Sequence, residues 1–149
     1  MSNLQTLTNN NASQNPFTGQ YGTGIVKMYA TSGTYTFTVP TAITSVRVRV
    51  WGGGGGGASG AGANNRGGGG GGFAMKTITG LTPGASITVT VGSQGLANTG
   101  DSAGTSGGTS SFGAYVSATG GSGGTNSNST GGSGSSGDIN YTEIGRAHV

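Results

Sequence analysis

The segment SVRVRVWGGGGGG, residues 45–57, joins a β-strand pattern directly to an uninterrupted run of glycine. In its first half valine alternates with arginine, and this period of two predicts a strand with one apolar and one polar face. Its second half carries no side chains, so it adds nothing to an ordinary hydrophobic core. A second glycine run, 67–72, leads into Phe73 and another strand pattern. Strands and glycine runs must therefore be explained together.

Period-two alternation predicts further strands along the chain. They cover residues 25–30, 34–39, 45–51, 73–78, 86–91, 109–112 and 115–119. Pro83 and Gly84 stand where a type II turn requires them. The predicted core consists of Phe37, Val39, Val46, Val48, Val50, Trp51, Phe73, Ile87, Val89, Val91, Phe112 and Val116. Because no segment sustains a 3.6-residue apolar period, we expect almost no helix. The predicted fold is all-β, a small β-sandwich of short antiparallel strands with Gly-rich loops.

The composition limits the size of that core. Glycine accounts for 36 of 149 residues, and hydrophobic residues for only 30 %, against roughly 45–50 % in average globular chains. The formal net charge of +3 comes from few charges, 6 % of residues, without a basic patch that would predict a nucleic-acid partner. There is no cysteine, which excludes disulfides and thiolate metal sites. No apolar stretch predicts membrane insertion, and the N-terminus lacks a signal-peptide pattern.

The glycine runs allow two structures. Gly-rich sequence behaves by default as a flexible linker. Alternatively, it forms extended threefold helices of the polyproline II type, here packed polyglycine-II segments. Glycine keeps its N–H and lacks Cβ, so neighbouring segments can approach closely and exchange backbone hydrogen bonds. Ordering glycine is entropically costly, so this second structure needs several neighbouring segments at once.

The predicted organisation has three parts. Residues 1–23, rich in Asn, Gln and Thr, are expected to be a flexible or partner-dependent arm. Residues 24–142 form the glycine-rich β domain, which we interpret as C-terminally truncated. Residues 143–149, EIGRAHV, break the surrounding composition and can be encoded by GAG ATC GGA AGA GCA CAC GTC, which resembles a sequencing-library adapter. We interpret them as translated adapter, so His148 receives no functional role.

The inventory of reactive groups argues against an enzyme. Residues 104–108 and 120–124 both match G-x-S-x-G, but neither follows the strand-to-helix pattern of a nucleophile elbow, and no histidine base accompanies them. Asp101 and Asp138 are the only carboxylates outside 143–149, too few for a calcium loop. We predict no catalytic residue, no cofactor and no metal.

Candidate ligand-binding residues lie between the two long glycine runs. Asn64, Asn65 and Arg66 form the only charge-bearing polar tip in that region, and amides with a guanidinium suit hydroxyl-rich or anionic glycan groups. The alternative is a solvated turn. Trp51 is interpreted as a core anchor, with a stacking platform for sugars as its alternative. Arg47 and Arg49 are interpreted as solubilising charges, with a binding face as theirs.

Five stretches together resemble a known family. They are YTFTVP at 35–40, SVRVRVWGGGG at 45–55, GGFA at 71–74, GGTSSFG at 107–113 and VSATGG at 116–121. In this order, over residues 33–124, they resemble the glycine-rich domain of bacteriophage tail-fibre and tail-tip proteins. The resemblance implies a small β-sandwich with Gly-rich loops, and related tail-tip adhesins use polyglycine helices to display host-recognition loops.

The resemblance implies a function and partners. We expect a non-enzymatic structural or host receptor-binding module in the virion tail, released from the cell by lysis. Its partners would be a host cell-surface glycan or protein, other tail proteins and, as a homotrimer, further copies of itself. Two alternatives stay open: a secreted or surface structural protein of a cell, and an ice-binding polyglycine bundle.

Overall fold

The structure is a computed structural model that describes residues 14–19, 22–59, 66–100, 102–125 and 129–142. The chain divides into two compact units between Ala30 and Thr31. The first contains the antiparallel hairpin of β1 (Gln14–Gly19) and β2 (Gly22–Lys27). Strand β2 overlaps the predicted strand 25–30, whereas β1 was not predicted, because its residues show no regular alternation. The assignments of 1–23 as an arm and 143–149 as adapter stay predictions.

The second unit contains the remaining strands, all paired antiparallel. They are β3 (Gly33–Thr38), β4 (Ser45–Trp51), β5 (Phe73–Thr79), β6 (Ser86–Val91), β7 (Ser110–Phe112), β8 (Val116–Ala118), β9 (Gly134–Ser135) and β10 (Ile139–Tyr141). One sheet has the order β10-β5-β4, the other β3-β6-β7-β8-β9. The described ranges contain no helix and thus none of a length and hydropathy that would cross a membrane. The predicted all-β sandwich class is confirmed.

The core lies between the two sheets, where β4 and β5 face β7 and β8. Six of the predicted core residues are buried: Val39, Val50, Ile87, Val89, Phe112 and Val116. Five others are partly exposed: Phe37, Val46, Val48, Phe73 and Val91. The core also contains Ala74, Ile78, Leu81 and Ala118, which sequence reasoning missed. These side chains are few and small, as the composition requires.

Trp51 is not a core residue, so that prediction is wrong. Its side chain is 60 % exposed. The reason is the strand period itself: Val50 is buried and faces the second sheet, so the next residue along the strand must face outward. Trp51 therefore shares the outer face of β4 with Arg47 and Arg49, which are both exposed.

The turn between β5 and β6 follows the sequence prediction. The Ala85 N–H donates to the Thr82 carbonyl over 3.0 Å, and Gly84 has φ +82°, as position i+2 of a type II turn demands. A residue with a side chain is strained at this φ, so glycine is needed there.

Three glycine-rich hairpins project from the β-sandwich, one from each of the strand pairs β4–β5, β6–β7 and β8–β9. Each hairpin consists of an outgoing and a returning extended segment. We label these segments g1 (52–59), g2 (66–72), g3 (92–98), g4 (102–109), g5 (119–125) and g6 (129–133), and together we call them the glycine bundle. All the outgoing segments run parallel to one another and antiparallel to the returning ones, as their hydrogen-bond registers require.

Segment g1 reveals the period of the bundle. Its N–H groups at 52, 55 and 58 donate to g2, while those at 53 and 56 donate to g4. Its carbonyls at 54 and 57 accept from g3, and those at 53 and 56 accept from g5. Every third residue thus bonds the same neighbour, which is the repeat of a threefold extended helix. Of the two structures that the sequence left open, the glycine runs adopt the ordered one.

The bundle is two layers thick. Bonds from g1 to g2 and g3 define one layer, with the order g3-g1-g2, and bonds from g5 to g4 and g6 define the other, with the order g4-g5-g6. Further bonds join the layers, such as Gly69 N–H to the Ser122 carbonyl at 2.8 Å and Gly121 N–H to the Gly53 carbonyl at 2.9 Å. Backbone hydrogen bonds therefore stabilise this half of the molecule in three directions.

Glycine inside the bundle is required by close backbone approach. A Cβ added to Gly55 would lie 2.0 Å from the Ser122 carbonyl oxygen, and one added to Gly56 would lie 2.1 Å from that of Leu96. By contrast, a Cβ added to Gly54 would meet nothing nearer than the Gly69 oxygen at 3.9 Å. Gly54 is exposed, so it faces away from the neighbouring segments.

Hydroxyl side chains complete the hydrogen bonding where g5 meets g6. The Ser122 hydroxyl donates to the Thr130 carbonyl over 3.0 Å and accepts the Thr130 N–H over 2.6 Å. Thr119, one threefold turn earlier, forms the same pair of bonds with Ser133. Serine and threonine thus occupy positions of g5 where a side chain fits and where it supplies both an acceptor and a donor.

We predict opposite effects for alanine at two adjacent glycines. Gly55→Ala forces a Cβ onto a neighbouring carbonyl and should lower the free energy of unfolding by about 3 kcal/mol or more. Gly54→Ala, its matched control, restricts the unfolded chain without a clash, so it should leave that free energy unchanged or raise it by up to about 1 kcal/mol. Urea denaturation of both variants measures the difference. Equal effects would contradict the packing of g1 against g5.

We also predict that the Ser122 hydroxyl stabilises the fold. Ser122→Ala leaves the Thr130 N–H without its side-chain acceptor and should cost about 1 kcal/mol in the free energy of unfolding. Ser93→Ala is the control, because Ser93 is an exposed serine in g3 whose hydroxyl makes no such bond. Thermal denaturation compares the two, and a loss no larger for Ser122→Ala than for Ser93→Ala would refute the prediction.

Candidate functional site

A turn joins the two segments of each hairpin, and the described residues that border the three turns lie at the same end of the bundle, which we call the distal end. The described residues that border these turns are Ser59 and Arg66, Asn98 and Ser102, and Thr125 and Ser129. The first two hairpins are linked there, because Ser59 and Ser102 exchange backbone hydrogen bonds of 3.2 and 3.0 Å. The third is linked one threefold turn before its tip, where the Gly124 N–H donates to the Gly56 carbonyl over 2.8 Å. The described ends of three separate hairpins thus lie side by side.

The predicted site residues belong to the first of these turns. Asn64 and Asn65 lie outside the described residues. Arg66 begins g2 and is exposed, and its carbonyl accepts the Ala58 N–H over 3.0 Å. A hydrogen bond thus fixes the Arg66 backbone to g1, while the Arg66 side chain faces solvent. This places Arg66 at the distal end, and a binding role for the three residues stays a prediction.

The second turn was not among the predicted sites, yet it is the one whose geometry is best defined. The Asn98 Oδ1 accepts the Gly100 N–H over 2.9 Å, and its Nδ2 donates to the Ala103 carbonyl over 3.3 Å. Its own N–H donates to the Gly57 carbonyl over 3.1 Å. Asn98 therefore closes its turn and ties it to the first hairpin. Sequence reasoning missed it because one asparagine in Gly/Ser/Asn sequence gives no distinguishing signal.

A second surface feature lies at the other end of the first hairpin. Trp51, Phe73 and Tyr141 are register neighbours on β4, β5 and β10. The ring centroids of Trp51 and Phe73 are 5.0 Å apart, and those of Phe73 and Tyr141 are 6.1 Å apart. Tyr141 is 63 % exposed, more than Trp51. The rings form a row across the outer side of the three-stranded sheet.

The next residues on this outer side continue the row into a small surface. Arg49, Met75 and Ile139 stand in register beside the aromatic residues. Arg47 follows on the same face of β4. We call these seven residues, Arg47, Arg49, Trp51, Phe73, Met75, Ile139 and Tyr141, the aromatic face. The sequence indicated it only as the alternative interpretation of Trp51 and of the two arginines.

The serines of the two G-x-S-x-G matches lie within the glycine bundle. The Ser106 hydroxyl accepts the Gly123 N–H over 3.4 Å, and Ser122 bonds Thr130. Asp138 accepts the Thr77 N–H on Oδ2 over 2.8 Å, so its carboxylate extends the pairing of β10 with β5. Asp101 lies outside the described residues. Among those described, no three His, Cys, Asp or Glu side chains are grouped as metal ligands would be.

The fold and these surfaces define a β-sandwich that carries a bundle of threefold glycine helices. The family described as the glycine-rich domain matches residues 30–148, which is most of the chain, and the protein belongs to that family. No curated protein matches the sequence. The match begins where the second compact unit begins, so the family's domain includes both the sandwich and the bundle.

We predict that Asn98 holds the second turn. Asn98→Ala removes two side-chain hydrogen bonds and should speed amide hydrogen exchange at Gly100 by about tenfold, while the exchange of core amides stays unchanged. Thr99→Ala, a change at the neighbouring exposed residue, serves as the control and should leave the Gly100 rate unchanged. Exchange measured by NMR tests this, and an unchanged Gly100 rate in Asn98→Ala would show that the side chain does not fix the turn.

Proposed function

We propose that this protein is a non-enzymatic host receptor-binding module of a bacteriophage tail fibre or tail tip, with a structural role in that tail. The observation that carries the proposal is the glycine bundle. Its three hairpins extend from the β-sandwich in the same direction, and the described residues that border their turns lie together at the distal end. Recognition loops on a rigid scaffold are the usual arrangement of a binding module.

The interior of the bundle tolerates few substitutions, whereas its distal end tolerates many. Inside it, glycine is needed because Cβ atoms would collide with neighbouring backbones, as at Gly55 and Gly69. At the distal end Arg66, Thr99 and Ser102 are all exposed. New side chains at these turns would alter what the module touches without disturbing the hydrogen bonds below. Such a division suits a protein that must follow changes in a host surface.

The chemistry of the distal end favours a polar ligand. The backbones of Asn98, Ser102 and Arg66 bond residues 57, 59 and 58 of g1, and their amide, hydroxyl and guanidinium side chains are exposed. Amides and hydroxyls both donate and accept hydrogen bonds, and the guanidinium fork suits anionic oxygens. Host cell-surface glycans offer hydroxyl and acid groups of this kind. Asn64 and Asn65 would add two more amides on the same turn as Arg66.

The positions of the serines support the non-enzymatic part of the proposal. In both G-x-S-x-G matches the hydroxyl bonds backbone groups of a neighbouring segment. A nucleophile needs instead a base within hydrogen-bond reach and a sharp turn that exposes it. Ser106 and Ser122 lie on extended segments, where their hydroxyls help to hold the bundle together.

An ice-binding function is the second candidate, and one observation favours it. The layer g3-g1-g2 has bare backbone on its outer side at Gly54 and Gly57, where added Cβ atoms would meet nothing nearer than 3.7 Å. The two positions are one threefold repeat apart. Against it, the regularly spaced hydroxyls of Thr119 and Ser122 bond g6 instead of facing solvent water. Thermal hysteresis of a concentrated solution distinguishes this candidate from the first.

We predict that the first turn contributes to binding. The whole chain is labelled and tested against a panel of bacteria with both envelope types and against a glycan array. Replacing Asn64, Asn65 and Arg66 by alanine should weaken binding by about tenfold or more, since a few residues usually carry most of the affinity. The control replaces Thr34, Thr36 and Thr88 by alanine, three exposed positions on the sandwich, and should bind like the parent chain.

Two outcomes would contradict the proposal. If the folded parent chain binds neither bacteria nor glycans, its receptor-binding role fails. If both triple variants bind like the parent, recognition does not depend on the first turn. Circular dichroism of each variant must match the parent spectrum, so that loss of binding is not loss of fold.

A further inference from the structure

We propose that the aromatic face is a second binding surface, separate from the distal end, and that its ligand is an acidic polysaccharide bearing carboxylate or phosphate groups. The inference rests on the proposed function in host-surface recognition and gives it a ligand class. Its residues come from three adjacent strands, so a rigid sheet fixes their spacing. The surface does not depend on any turn of the glycine bundle.

The exposure of the aromatic row calls for an explanation. The buried large apolar side chains of the second unit lie in the core between the sheets. Trp51 and Tyr141 instead keep 60 % and 63 % of their surface in solvent. Ile139, beside them, keeps 39 %. A contiguous exposed apolar patch is typical of an interaction site, whereas single exposed residues are not. Rings in contact across three strands form such a patch.

The charge beside the row indicates an acidic ligand. Arg47 and Arg49 are exposed on the same face, and within the described part of the chain neither guanidinium has an ion-pair partner. Asp138 is the one described carboxylate near this sheet. It bonds the Thr77 N–H on the side of β5 that faces β10, away from β4. Lys76, on the opposite face of β5, donates to the Ser136 carbonyl over 2.8 Å. Among the described residues, therefore, no carboxylate offsets the positive charge that the two arginines give the aromatic face.

The size of the surface argues against a protein partner. It spans three strands, and β10 is 3 residues long, so the aromatic face comprises only the seven residues named above. A stable protein interface involves about 20–30 residues on each partner. A polysaccharide chain needs only a narrow strip. Two identical copies would also bring their arginines together, which disfavours self-association through this face.

The chemistry of the row fits a sugar chain. The faces of pyranose rings present C–H groups, and these pack against the electron-rich faces of exposed aromatic rings. Trp51 and Tyr141, at the two ends of the row, are the exposed rings, and Phe73 lies between them in contact with both. The guanidinium of Arg49, one residue pair away, forms charge-assisted and often bidentate hydrogen bonds with carboxylate or phosphate. One strip thus provides stacking and acid recognition side by side.

The two binding surfaces lie at opposite ends of the first hairpin. Trp51 directly precedes g1 and Phe73 directly follows g2. At about 3.1 Å per residue, the extended segment between the aromatic face and the distal end is roughly 20 Å long. A long glycan chain, or two glycans on one cell, would therefore be able to engage both surfaces at once. Binding at two linked sites raises the overall affinity without new contacts.

The single tryptophan of the chain makes the proposal directly measurable. Trp51 is the only Trp, so a ligand that covers the aromatic face should change its fluorescence. The intact chain is titrated with polygalacturonate as the carboxylate probe and with phosphomannan as the phosphate probe. Dextran is the neutral polysaccharide, and polyglutamate is the acidic polypeptide. We expect saturable fluorescence changes with one or both acidic polysaccharides and none with dextran.

Variants identify the surface. Arg49→Gln and Tyr141→Ala should each weaken the binding of the acidic polysaccharide by about tenfold, through loss of a charge-assisted hydrogen bond or of a stacking ring. Lys27→Gln and Tyr115→Ala are the matched controls. They remove an exposed cation from the first compact unit and an exposed aromatic ring from the turn between β7 and β8, and they should titrate like the parent.

The proposal is overturned if dextran binds as well as the acidic probes, if polyglutamate alone binds, if no probe binds, or if Arg49→Gln and Tyr141→Ala titrate like the parent. Its failure is distinguishable from that of the proposed function. The cell-binding assay depends on Asn64, Asn65 and Arg66, whereas the fluorescence titration depends on the aromatic face. The cell-binding assay therefore tests the proposed function, and the fluorescence titration tests the ligand of the aromatic face.

Discussion

The structure depends on the close approach of backbones within the glycine bundle. Neighbouring segments are so near that a Cβ at an interior position, such as Gly55, would lie 2.0 Å from a carbonyl oxygen. No side chain fits there, so glycine is the only residue that permits the contact. In return, almost every interior segment bonds several neighbours through its backbone. The high glycine content is thus a packing requirement of this half of the molecule.

This constraint explains how a chain with few apolar residues keeps a defined fold. Glycine loses more conformational entropy on ordering than any other residue, and the bundle has no hydrophobic interior to offset the loss. Two features counteract it. Hydrogen bonds run in three directions from segments such as g1, and each segment is joined to a strand of the sandwich at one end. The small core around Val39, Val50 and Val116 therefore anchors far more chain than it contains.

The two ends of each hairpin differ in the kind of surface that they form. At the sandwich, β-strand geometry fixes side chains in rows, and the row of Trp51, Phe73 and Tyr141 is one result. At the distal end, backbone bonds between Ser59 and Ser102 bring turns from distant parts of the sequence together. We propose recognition at both places, by varied polar turns at one end and by a fixed aromatic and cationic strip at the other.

Local pattern alone determined the strands with strong alternation. The bounds of β4 and β6 agree with the predicted strands, and the type II turn at Pro83 and Gly84 follows from residue identity. The same alternation places Trp51 on the outer face, because the residue before it, Val50, is buried. By contrast, β9 and β10 are two and three residues long, too short for any period to be read.

Only the tertiary structure determines which neighbour each glycine of a run faces. Every glycine of a run has the same chemistry, so nothing in GGGGGG indicates that Gly55 faces g5 while Gly54 faces solvent. That difference arises from the threefold twist of g1 and from the neighbours that the strand order brings to each side.

The sequence by itself determined that the core is small, the strands short and the glycine segments extended or flexible. Their assembly into two hydrogen-bonded layers came only from pairing between distant segments, because each backbone bond needs a partner that local sequence does not identify. The same pairing brought together the described ends of the three hairpins and the three aromatic rings.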